Sequence, residues 1–330
     1  MLVLGSEDQK RVLTMREAID AVGLALSEMS AGSAKTPVRT SLPVPKAKGT
    51  ALFMPSLVES VGGLGLKFVS VFPLNKQLGK ETIQGVMVLA DINTAEPLAL
   101  LEASYLTALR TGAASGLAVK YLARKDAKVL GVIGTGAQSK YVIAAVREVR
   151  SIKEIRLYNR SLEKAEQLAS ELSRQADEPS IKVIVVHDAN DAVVDADIVV
   201  TTTNSSAPVF NAAALKQGAH VNAVGSFRPD MQEIPTDIFR KNPKVVVESR
   251  KAAFEETGDL LVPMRQGLFS PERLHAELGD IVRGIKAGRE NEKEITVFKS
   301  VGVAAMDVVV GKILYERAAE LGIGQKVILS

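Results

Sequence analysis

The sequence predicts an α/β protein in which a Rossmann-type, doubly wound parallel sheet is combined with a discontinuous α+β domain. Three observations predict this fold. Short, apolar segments alternate with amphipathic ones in the middle of the chain, a glycine-rich turn joins the first such pair, and the flanking segments follow a different pattern. Strands that are apolar at nearly every position are typical of a parallel sheet covered on both faces. At 330 residues the chain is long enough for two domains with separate cores.

The middle region begins with "AKVLGVIGTGAQSKYVIAAVREV" (127–149), which predicts a strand, a tight turn and a helix. A second strand is expected at 154–160, followed by a helix at 161–176. We assign a Rossmann domain to residues 119–301. Its remaining strand candidates are 181–187, 196–203, 219–226 and 244–249.

The flanking segments, 1–118 and 302–330, predict a second domain. A helix is expected over 14–30, and another over 105–123 leads into the middle region. The helix after about residue 300, with no strand expected after it, should return to this domain. The predicted strands are 63–73, 85–91 and 97–104, with the turn "DINTAEP" between the last two.

The composition narrows the function classes. The 41 basic residues nearly balance the 38 acidic ones, so the net charge of +3 does not indicate a nucleic-acid partner. No segment reaches the ~18 apolar residues of a membrane span. The chain has no cysteine, and its three histidines, His187, His220 and His275, lack metal-ligand spacing. We therefore expect a cytoplasmic protein with no membrane or metal partner.

The glycine turn predicts dinucleotide binding. Gly134 permits the tight turn, Gly136 lets backbone amides approach a pyrophosphate, and the following helix begins with a partial positive charge. The third small position holds Ser139 rather than glycine. The order of strand, turn and helix is the context that this motif requires. An ordinary turn without a ligand is the alternative interpretation.

The end of the second strand indicates which cofactor is bound. An NAD-selective site would present an acidic residue to the adenosine ribose, but Asn159 and Arg160 stand there. Arg160, with Ser161 and Lys164, could bind a 2′-phosphate, so we expect NADPH, with NADH as a second cofactor. A solvated surface arginine is the alternative.

Three cations of the first domain stand among apolar or small neighbours. Lys67 interrupts the strand "GLGLKFVSV", and Arg110 interrupts the helix "YLTALRTGAASG". If Arg39 lies close to both, the three would form a carboxylate clamp beside an ionisable amine. Strand alternation equally permits an outward-facing Lys67.

Several segments together resemble the ornithine cyclodeaminase/μ-crystallin family. They include "GTALFMPSL", "ADINTAEPLALLEASYLTALRTGAASG", "NAVGSFRPDMQEI" and "ITVFKSVGVAAMDVVVGK", and the similarity covers essentially the whole chain. Within the family, the "GSFRP" loop and the "HAELG" segment are similar to those of bacterial Δ1-pyrroline-2-carboxylate reductases. The resemblance implies a homodimer with a Rossmann domain and a discontinuous substrate and dimerisation domain.

The resemblance also implies roles for individual residues. Arg39 and Arg110 match the substrate-carboxylate clamp, and Lys67 matches the active-site lysine, which we take as catalytic. Asp307 is a further substrate contact or a structural residue. The cofactor-binding positions implied are Gly134, Thr135, Gly136, Ala137, Gln138, Asn159, Arg160, Lys164, Thr111, Thr202, Val224 and Ser300.

The loop after Gly225 narrows the reaction that the resemblance implies. Deaminating and alanine-forming members carry a proton-handling aspartate at the position of Phe227, whereas Asp230 lies further along and is expected at the rim. Phe227 would instead form an apolar wall of the substrate site. The expected reaction is reduction of a cyclic ketimine, Δ1-pyrroline-2-carboxylate or its six-membered homologue. Alternatives are an alanine dehydrogenase, an ornithine cyclodeaminase or a cofactor-binding protein without turnover.

Overall fold

The computed structural model describes residues 1–174 and 181–328. Contacts within the chain divide it into two compact units, Met1–Arg110 with Val303–Ser330, and Thr111–Gly302. The sequence pattern placed these boundaries at 118/119 and 301/302. The contacts place them at 110/111 and 302/303 instead. The first boundary differs more because the helix that contains it, α3 (Ala103–Leu122), runs without a break in its apolar pattern. Within the described residues, no helix has the length and apolarity that crossing a membrane requires.

The first unit is a mostly antiparallel eight-stranded sheet with helices packed on one face. Its elements are β1 (Leu2–Leu4), α1 (Ser6–Lys10), α2 (Met15–Ala31), β2 (Ala34–Lys35), β3 (Thr40–Val44), β4 (Gly49–Val58), β5 (Gly63–Val71), β6 (Ile83–Ala90), β7 (Pro97–Glu102), α10 (Ala304–Leu321) and β16 (Gln325–Lys326). The strands lie in the order β16-β1-β7-β6-β5-β4-β2, and β3 pairs with β4. Among these described strands, only β1 and β7 pair in parallel.

Local sequence explains where the helices of this unit begin and end. Thr14 accepts a hydrogen bond from the Glu17 amide, and the Glu17 carboxylate bonds back to Thr14, which starts α2 with a capping box. Gly32 ends α2 in the left-handed region at φ 80°, where glycine costs least. The last helix, α10, packs on β4, β5 and α2 as expected.

One expectation for this unit is wrong. The strand β16 follows α10 and pairs antiparallel with β1. It has only two residues, both exposed and polar, so it carries no apolar pattern that a sequence reading could detect.

The second unit contains a parallel sheet of eight described strands, which are β8 (Val129–Ile133), β9 (Glu154–Tyr158), β10 (Lys182–Val185), β11 (Ile198–Thr201), β12 (His220–Ala223), β13 (Lys244–Val247), β14 (Leu274–Glu277) and β15 (Thr296–Lys299). Their order is β10-β9-β8-β11-β12-β15-β13-β14, which confirms the Rossmann-type prediction. The order reverses between β8 and β11, where such sheets bind ligands at the carboxyl ends of their strands.

Two apolar clusters cover the faces of this sheet, as its uniformly apolar strands predict. The sequence pattern located six of the eight strands and did not identify β14 or β15. The predicted helix 161–176 corresponds to α5, and its last two residues lie outside the described part of the chain. The helices are α4 (Ser139–Val149), α5 (Leu162–Arg174), α6 (Ala189–Val193), α7 (Arg250–Glu256), α8 (Gly258–Arg265) and α9 (Leu278–Val282).

Candidate active site

Lys67 is buried in the first unit, at the middle of β5. Its neighbours Leu66 and Phe68 point to the other face of the strand, and the Lys67 side chain is 1% exposed. The ammonium Nζ lies 2.8 Å from Asp307 Oδ2 and donates to Thr107 Oγ1 at 3.3 Å. The outward-facing alternative for Lys67 is therefore wrong, because the burial and the ion pair place the amine inside the unit.

Asp307 joins Lys67 to Arg110. It is fully buried in the first turn of α10, and its Oδ1 accepts a hydrogen bond from Arg110 Nε at 3.0 Å. The start of a helix favours a negative charge, so α10 supports the carboxylate. Arg110 and Thr107 both lie on α3, one turn apart. The structure thus brings three of the expected residues into one cluster and makes Asp307 its centre.

Burial and charge shift the ionisation of this cluster. The pKa of Lys67 is lowered to about 7, chiefly by burial. The negative charge of Asp307 raises this pKa, and the positive charges of Arg110 and Arg39 lower it. Burial would raise the pKa of Asp307, but Arg110 and Lys67 hold it below its ordinary value. An amine with a pKa near neutrality can both hold and release a proton at physiological pH.

Arg110 has hydrogen-bonding capacity left for a substrate. Asp307 occupies its Nε, and none of the described residues hydrogen-bonds to Nη1 or Nη2. Two guanidinium nitrogens on one edge match the geometry of a carboxylate. Arg39, half-buried between β2 and β3, lies near enough to influence the Lys67 pKa. Lys67 and Arg110 both pair with the single carboxylate of Asp307, so with Lys67 protonated these three groups carry a net positive charge and favour an anionic ligand.

The glycine turn of the second unit has the shape that a dinucleotide phosphate needs. Gly134 adopts φ 96°, and a Cβ there would lie 2.9 Å from the Thr202 carbonyl oxygen. A Cβ at Gly136 would meet nothing within 4 Å, so the space beside it is open. The Thr135 hydroxyl is buried without a hydrogen-bond partner among the described residues. The turn therefore fits a pyrophosphate, which would fill the open space and supply acceptors.

Ser139 stabilises this turn in place of a third glycine. Its hydroxyl donates to the Gly136 carbonyl at 2.7 Å. Ala137 is exposed and Gln138 half-buried where the turn enters α4, and the Ser139 amide donates to the Gly136 carbonyl at 3.1 Å. Ser139 therefore holds the turn through both its hydroxyl and its amide.

The residues at the end of β9 lie beside the turn. Asn159 accepts a hydrogen bond from the Thr135 amide at 3.2 Å and donates to the Ser161 carbonyl at 2.9 Å. Arg160 and Lys164 are exposed, and neither forms an ion pair with any residue that the structure describes. Asn159 therefore ties the end of β9 to the turn, while two cations remain available for a ribose phosphate.

Of the other expected cofactor positions, Thr111, Val224 and Ser300 are buried and Thr202 is half-buried. Thr111 on α3 is 3% exposed, and Val224 after β12 is 7% exposed. The hydroxyl of Thr202 donates to the Gly134 carbonyl at 2.7 Å, and that of Ser300 to Glu248 Oε1 at 2.6 Å. Both hydroxyls are thus engaged by protein groups, so Thr202 and Ser300 shape the carboxyl edge of the sheet.

The loop after β12 separates a half-buried aromatic residue from an exposed ion pair. Phe227 is half-buried, and the Arg228 guanidinium lies 6.0 Å from the centre of its ring. Arg228 Nε in turn pairs with Asp230 Oδ1 at 3.1 Å, and both side chains are exposed. Asp230 is therefore a surface residue.

The sequence reading assigned no role to several buried charged residues near these positions. Lys299 ends β15 and pairs with Asp259 at 2.8 Å, and both are fully buried. Glu233 and Glu248 accept backbone amides at the same edge of the sheet. Lys67 was identified because it lies inside an apolar strand. Lys299 lies in the apolar segment "ITVFKS", so the same pattern could have identified it.

Comparisons with known proteins agree with this architecture. The model of the ornithine cyclodeaminase/mu-crystallin family matches residues 2–322. A Δ1-pyrroline-2-carboxylate reductase of Bacillus cereus is 53% identical over 327 residues, covering 99% of both chains.

Solved structures give the same result. That of Thermococcus litoralis Δ1-pyrroline-2-carboxylate reductase in complex with NADH and L-proline is similar with a TM-score of 0.95 and 39% identity, covering 99% of this chain and 100% of that chain. An archaeal alanine dehydrogenase dimer with bound NAD has a TM-score of 0.93 and 35% identity, covering 100% of this chain and 99% of that one. The chain therefore belongs to the ornithine cyclodeaminase/mu-crystallin family.

Proposed function

We propose that this chain is an NAD(P)H-dependent ketimine reductase that converts Δ1-pyrroline-2-carboxylate to L-proline. The six-membered Δ1-piperideine-2-carboxylate is a second candidate substrate, since one methylene changes binding by only about 1–3 kcal/mol. The observation that carries the proposal is the buried cluster of Lys67, Asp307 and Arg110, which places a titratable ammonium beside a guanidinium with an open edge. The 53% identity to a reductase of this substrate supports it.

The guanidinium groups would bind the substrate carboxylate. Nη1 and Nη2 of Arg110 offer a bidentate pair of charge-assisted hydrogen bonds, and Arg39 adds a second positive charge. Asp307 holds Nε of Arg110 and so fixes the plane of its guanidinium. Holding the substrate in one orientation lowers the entropic part of the barrier to a two-reactant transfer.

Lys67 would supply the proton. Reduction of the C=N bond adds a hydride to carbon and leaves the nitrogen to be protonated, and bound NADPH or NADH supplies the hydride. With a pKa of about 7, the Lys67 ammonium is a much stronger acid than an ordinary lysine. Asp307 and Thr107 hold Nζ in place, so the direction of proton transfer is set before the substrate binds.

The second unit would hold the cofactor. The pyrophosphate would lie against the glycine turn, Gly134, Thr135, Gly136, Ala137 and Gln138. The adenosine ribose with its phosphate would lie at the end of β9, against Asn159, Arg160 and Lys164. Thr111, Thr202, Val224 and Ser300 line the nicotinamide end.

Phe227 favours reduction over deamination. Its half-buried ring cannot exchange a proton, and the neighbouring carboxylate, Asp230, is exposed and paired with Arg228. An apolar wall excludes water, which would hydrolyse an imine. Deamination requires a general base, and such groups contribute about 10²–10⁴-fold to a rate. We therefore assign no efficient ornithine deaminase activity to this chain.

A homodimer is part of the proposal, with the first unit as the substrate and dimerisation domain. Strand alternation places Leu42, Phe53, Leu66, Phe68 and Val86 on one face of its sheet. Leu42 is 55% exposed and Val86 39% exposed, a contiguous apolar surface that monomers rarely leave uncovered. Light scattering should give twice the mass of one chain, and Leu66→Glu should lower the measured mass towards that of a single chain.

The lack of cysteine suits a reducing cytoplasm.

A substrate panel tests the function. Purified protein is given reduced cofactor with each cyclic ketimine in turn, or with pyruvate and ammonia, while nicotinamide absorbance is followed. With ornithine and oxidised cofactor, released ammonia is measured instead, because that reaction returns the cofactor to its oxidised form. We expect rapid oxidation with a ketimine and little turnover otherwise. A higher rate with pyruvate and ammonia would identify an alanine dehydrogenase, and no turnover with any substrate would leave only cofactor binding.

A further inference from the structure

Glu233 is a fully buried carboxylate that connects two neighbouring loops of the second unit. Its Oε1 accepts the Thr203 amide at 2.6 Å, and its Oε2 accepts the amides of Gly225 at 2.7 Å and Ser226 at 3.0 Å. Thr203 follows β11, and Gly225 follows β12. These strands are adjacent and parallel, so a single side chain bridges their carboxyl ends.

The two loops are in direct contact at this point. A Cβ at Gly225 would lie 2.0 Å from the Thr203 carbonyl oxygen and 2.6 Å from Glu233 Oε1. Only a residue without a side chain permits this approach. The position of the chain at Gly225 therefore depends on the carboxylate that holds both amides.

A second buried group holds Glu233 itself. Asp259 Oδ1 accepts the amides of Glu233 at 2.6 Å and Ile234 at 3.0 Å, and Asp259 Oδ2 lies 2.8 Å from Lys299 Nζ. Lys299 is the last residue of β15, the strand on the other side of β12. This hydrogen-bond network thus joins the ends of β11, β12 and β15. Five backbone amides and the Lys299 ammonium compensate the negative charges of the two buried carboxylates.

We propose that Glu233 is a positioning residue for the cofactor. Its carboxylate fixes the segment from Gly225 to Phe227, and so shapes the edge of the sheet at which the nicotinamide ring binds. This inference rests on the proposed function, because it assumes that a nicotinamide nucleotide binds here. Glu233 makes no contact of its own with the reacting atoms in this proposal and acts through the backbone of the loop.

The chemistry of the side chain makes the proposal testable by one isosteric change. A carboxylate offers acceptors on both oxygens, whereas glutamine presents an NH₂ donor at one of them. In Glu233→Gln, either the Thr203 amide or the amides of Gly225 and Ser226 would face a donor. The loop should then lose its fixed position while the bulk of the side chain stays the same.

The measurement compares the affinity of NADH with that of ADP-ribose by calorimetry, without any imine. The two ligands differ only in the nicotinamide, so the ratio of their dissociation constants isolates the nicotinamide end. We expect Glu233→Gln to raise the ratio of the NADH to the ADP-ribose dissociation constant about tenfold, the effect of about 1.4 kcal/mol from disrupted hydrogen bonds. The affinity for ADP-ribose should stay unchanged.

Asp197→Asn is the matched control. Asp197 is also a buried carboxylate of the second unit, and it accepts the amides of Lys128 at 2.8 Å and Val129 at 2.9 Å. Those amides lie at the amino end of β8, the edge opposite the proposed cofactor site. Loss of stability alone would affect both variants, whereas the NADH to ADP-ribose ratio should change only in Glu233→Gln.

Three results would overturn the proposal: an unchanged ratio in folded Glu233→Gln, an equal loss of affinity for both ligands, or equal affinities of the two ligands in the unaltered protein. If Glu233→Gln does not fold, Glu233→Asp gives the same test, since its shorter side chain cannot reach all three amides. Failure of the proposed function would show differently, as normal NADH binding without ketimine reduction.

Discussion

At the scale of single residues, the chemistry of the first unit depends on the two carboxylate oxygens of Asp307, each of which binds a different cation. Oδ1 binds the Arg110 guanidinium, and Oδ2 binds the Lys67 ammonium. One carboxylate therefore sets the distance between the substrate-binding group and the proton donor. Removing either cation would leave the buried carboxylate with a single partner, which is a costly arrangement.

Arg110→Ala should weaken the use of substrate strongly and leave cofactor affinity intact. The variant loses the bidentate partner of the substrate carboxylate. We expect kcat/KM to fall roughly a hundredfold, which corresponds to a loss of about 3 kcal/mol of transition-state stabilisation. Arg39→Ala should act in the same direction. Steady-state kinetics with varied ketimine give the result, and Arg240→Ala, at an exposed arginine paired with Asp237, is the control. An unchanged kcat/KM in Arg110→Ala would separate this residue from the substrate.

The pH dependence of kcat/KM should follow the ionisation of Lys67. Burial lowers its pKa to about 7, and a proton donor must be protonated, so kcat/KM should fall as the pH rises through this value. Asp307 raises the Lys67 pKa, so Asp307→Asn should move the midpoint to lower pH. In Lys67→Arg the fall should disappear, since a guanidinium stays protonated. A profile that rises with pH in the unaltered protein would rule out Lys67 as the acid.

Arg160 should determine the preference for NADPH. Its exposed guanidinium stands where NAD-selective enzymes present an acid, so Arg160→Ala should raise the KM for NADPH and leave that for NADH nearly unchanged. Initial rates with both cofactors, at a fixed ketimine concentration, give the comparison. Equal responses of the two KM values would mean that Arg160 does not contact a 2′-phosphate.

At the scale of elements, the turn between β8 and α4 contains two glycines with different physical roles. A side chain at Gly136 would enter open space, so Gly136→Ala should fold normally and bind cofactor about tenfold more weakly, as loss of a close phosphate contact implies. Gly134 has φ 96° and a close backbone neighbour, so Gly134→Ala should instead lower the melting temperature. Thermal unfolding and cofactor titration of both variants distinguish the two roles. Normal cofactor affinity in Gly136→Ala would place the pyrophosphate elsewhere.

The elements also show how far the sequence could be interpreted. The β8 to α4 unit was predictable because a continuous apolar run, two glycines and an amphipathic helix follow one another. The strand β15 was missed because "ITVFK" is short and follows a polar stretch, 289–294, with no helical pattern before it. The burial of Lys67 could not be read from β5, since alternation permits either face. That choice depends on α10, which packs on β5 from the far end of the chain.

At the scale of the whole molecule, the first unit is assembled from two distant segments of the chain. Arg110 and Asp307 are separated by 197 positions, yet they share a hydrogen bond. Sequence patterns describe neighbours along the chain, so they identified these residues as candidates but could not show that they meet. The resemblance to a family supplied that expectation, and the structure places Lys67, Asp307 and Arg110 together.

The most direct test of the central claim follows the hydride into the product. Protein, Δ1-pyrroline-2-carboxylate and NADPH or NADH carrying deuterium at the transferable C4 position are combined, and the product is examined by chiral chromatography and mass spectrometry. Reduction at the imine carbon predicts L-proline with one deuterium at its α-carbon, formed in step with oxidation of the cofactor. Proline without deuterium, or cofactor oxidation without proline, would contradict the proposed reaction.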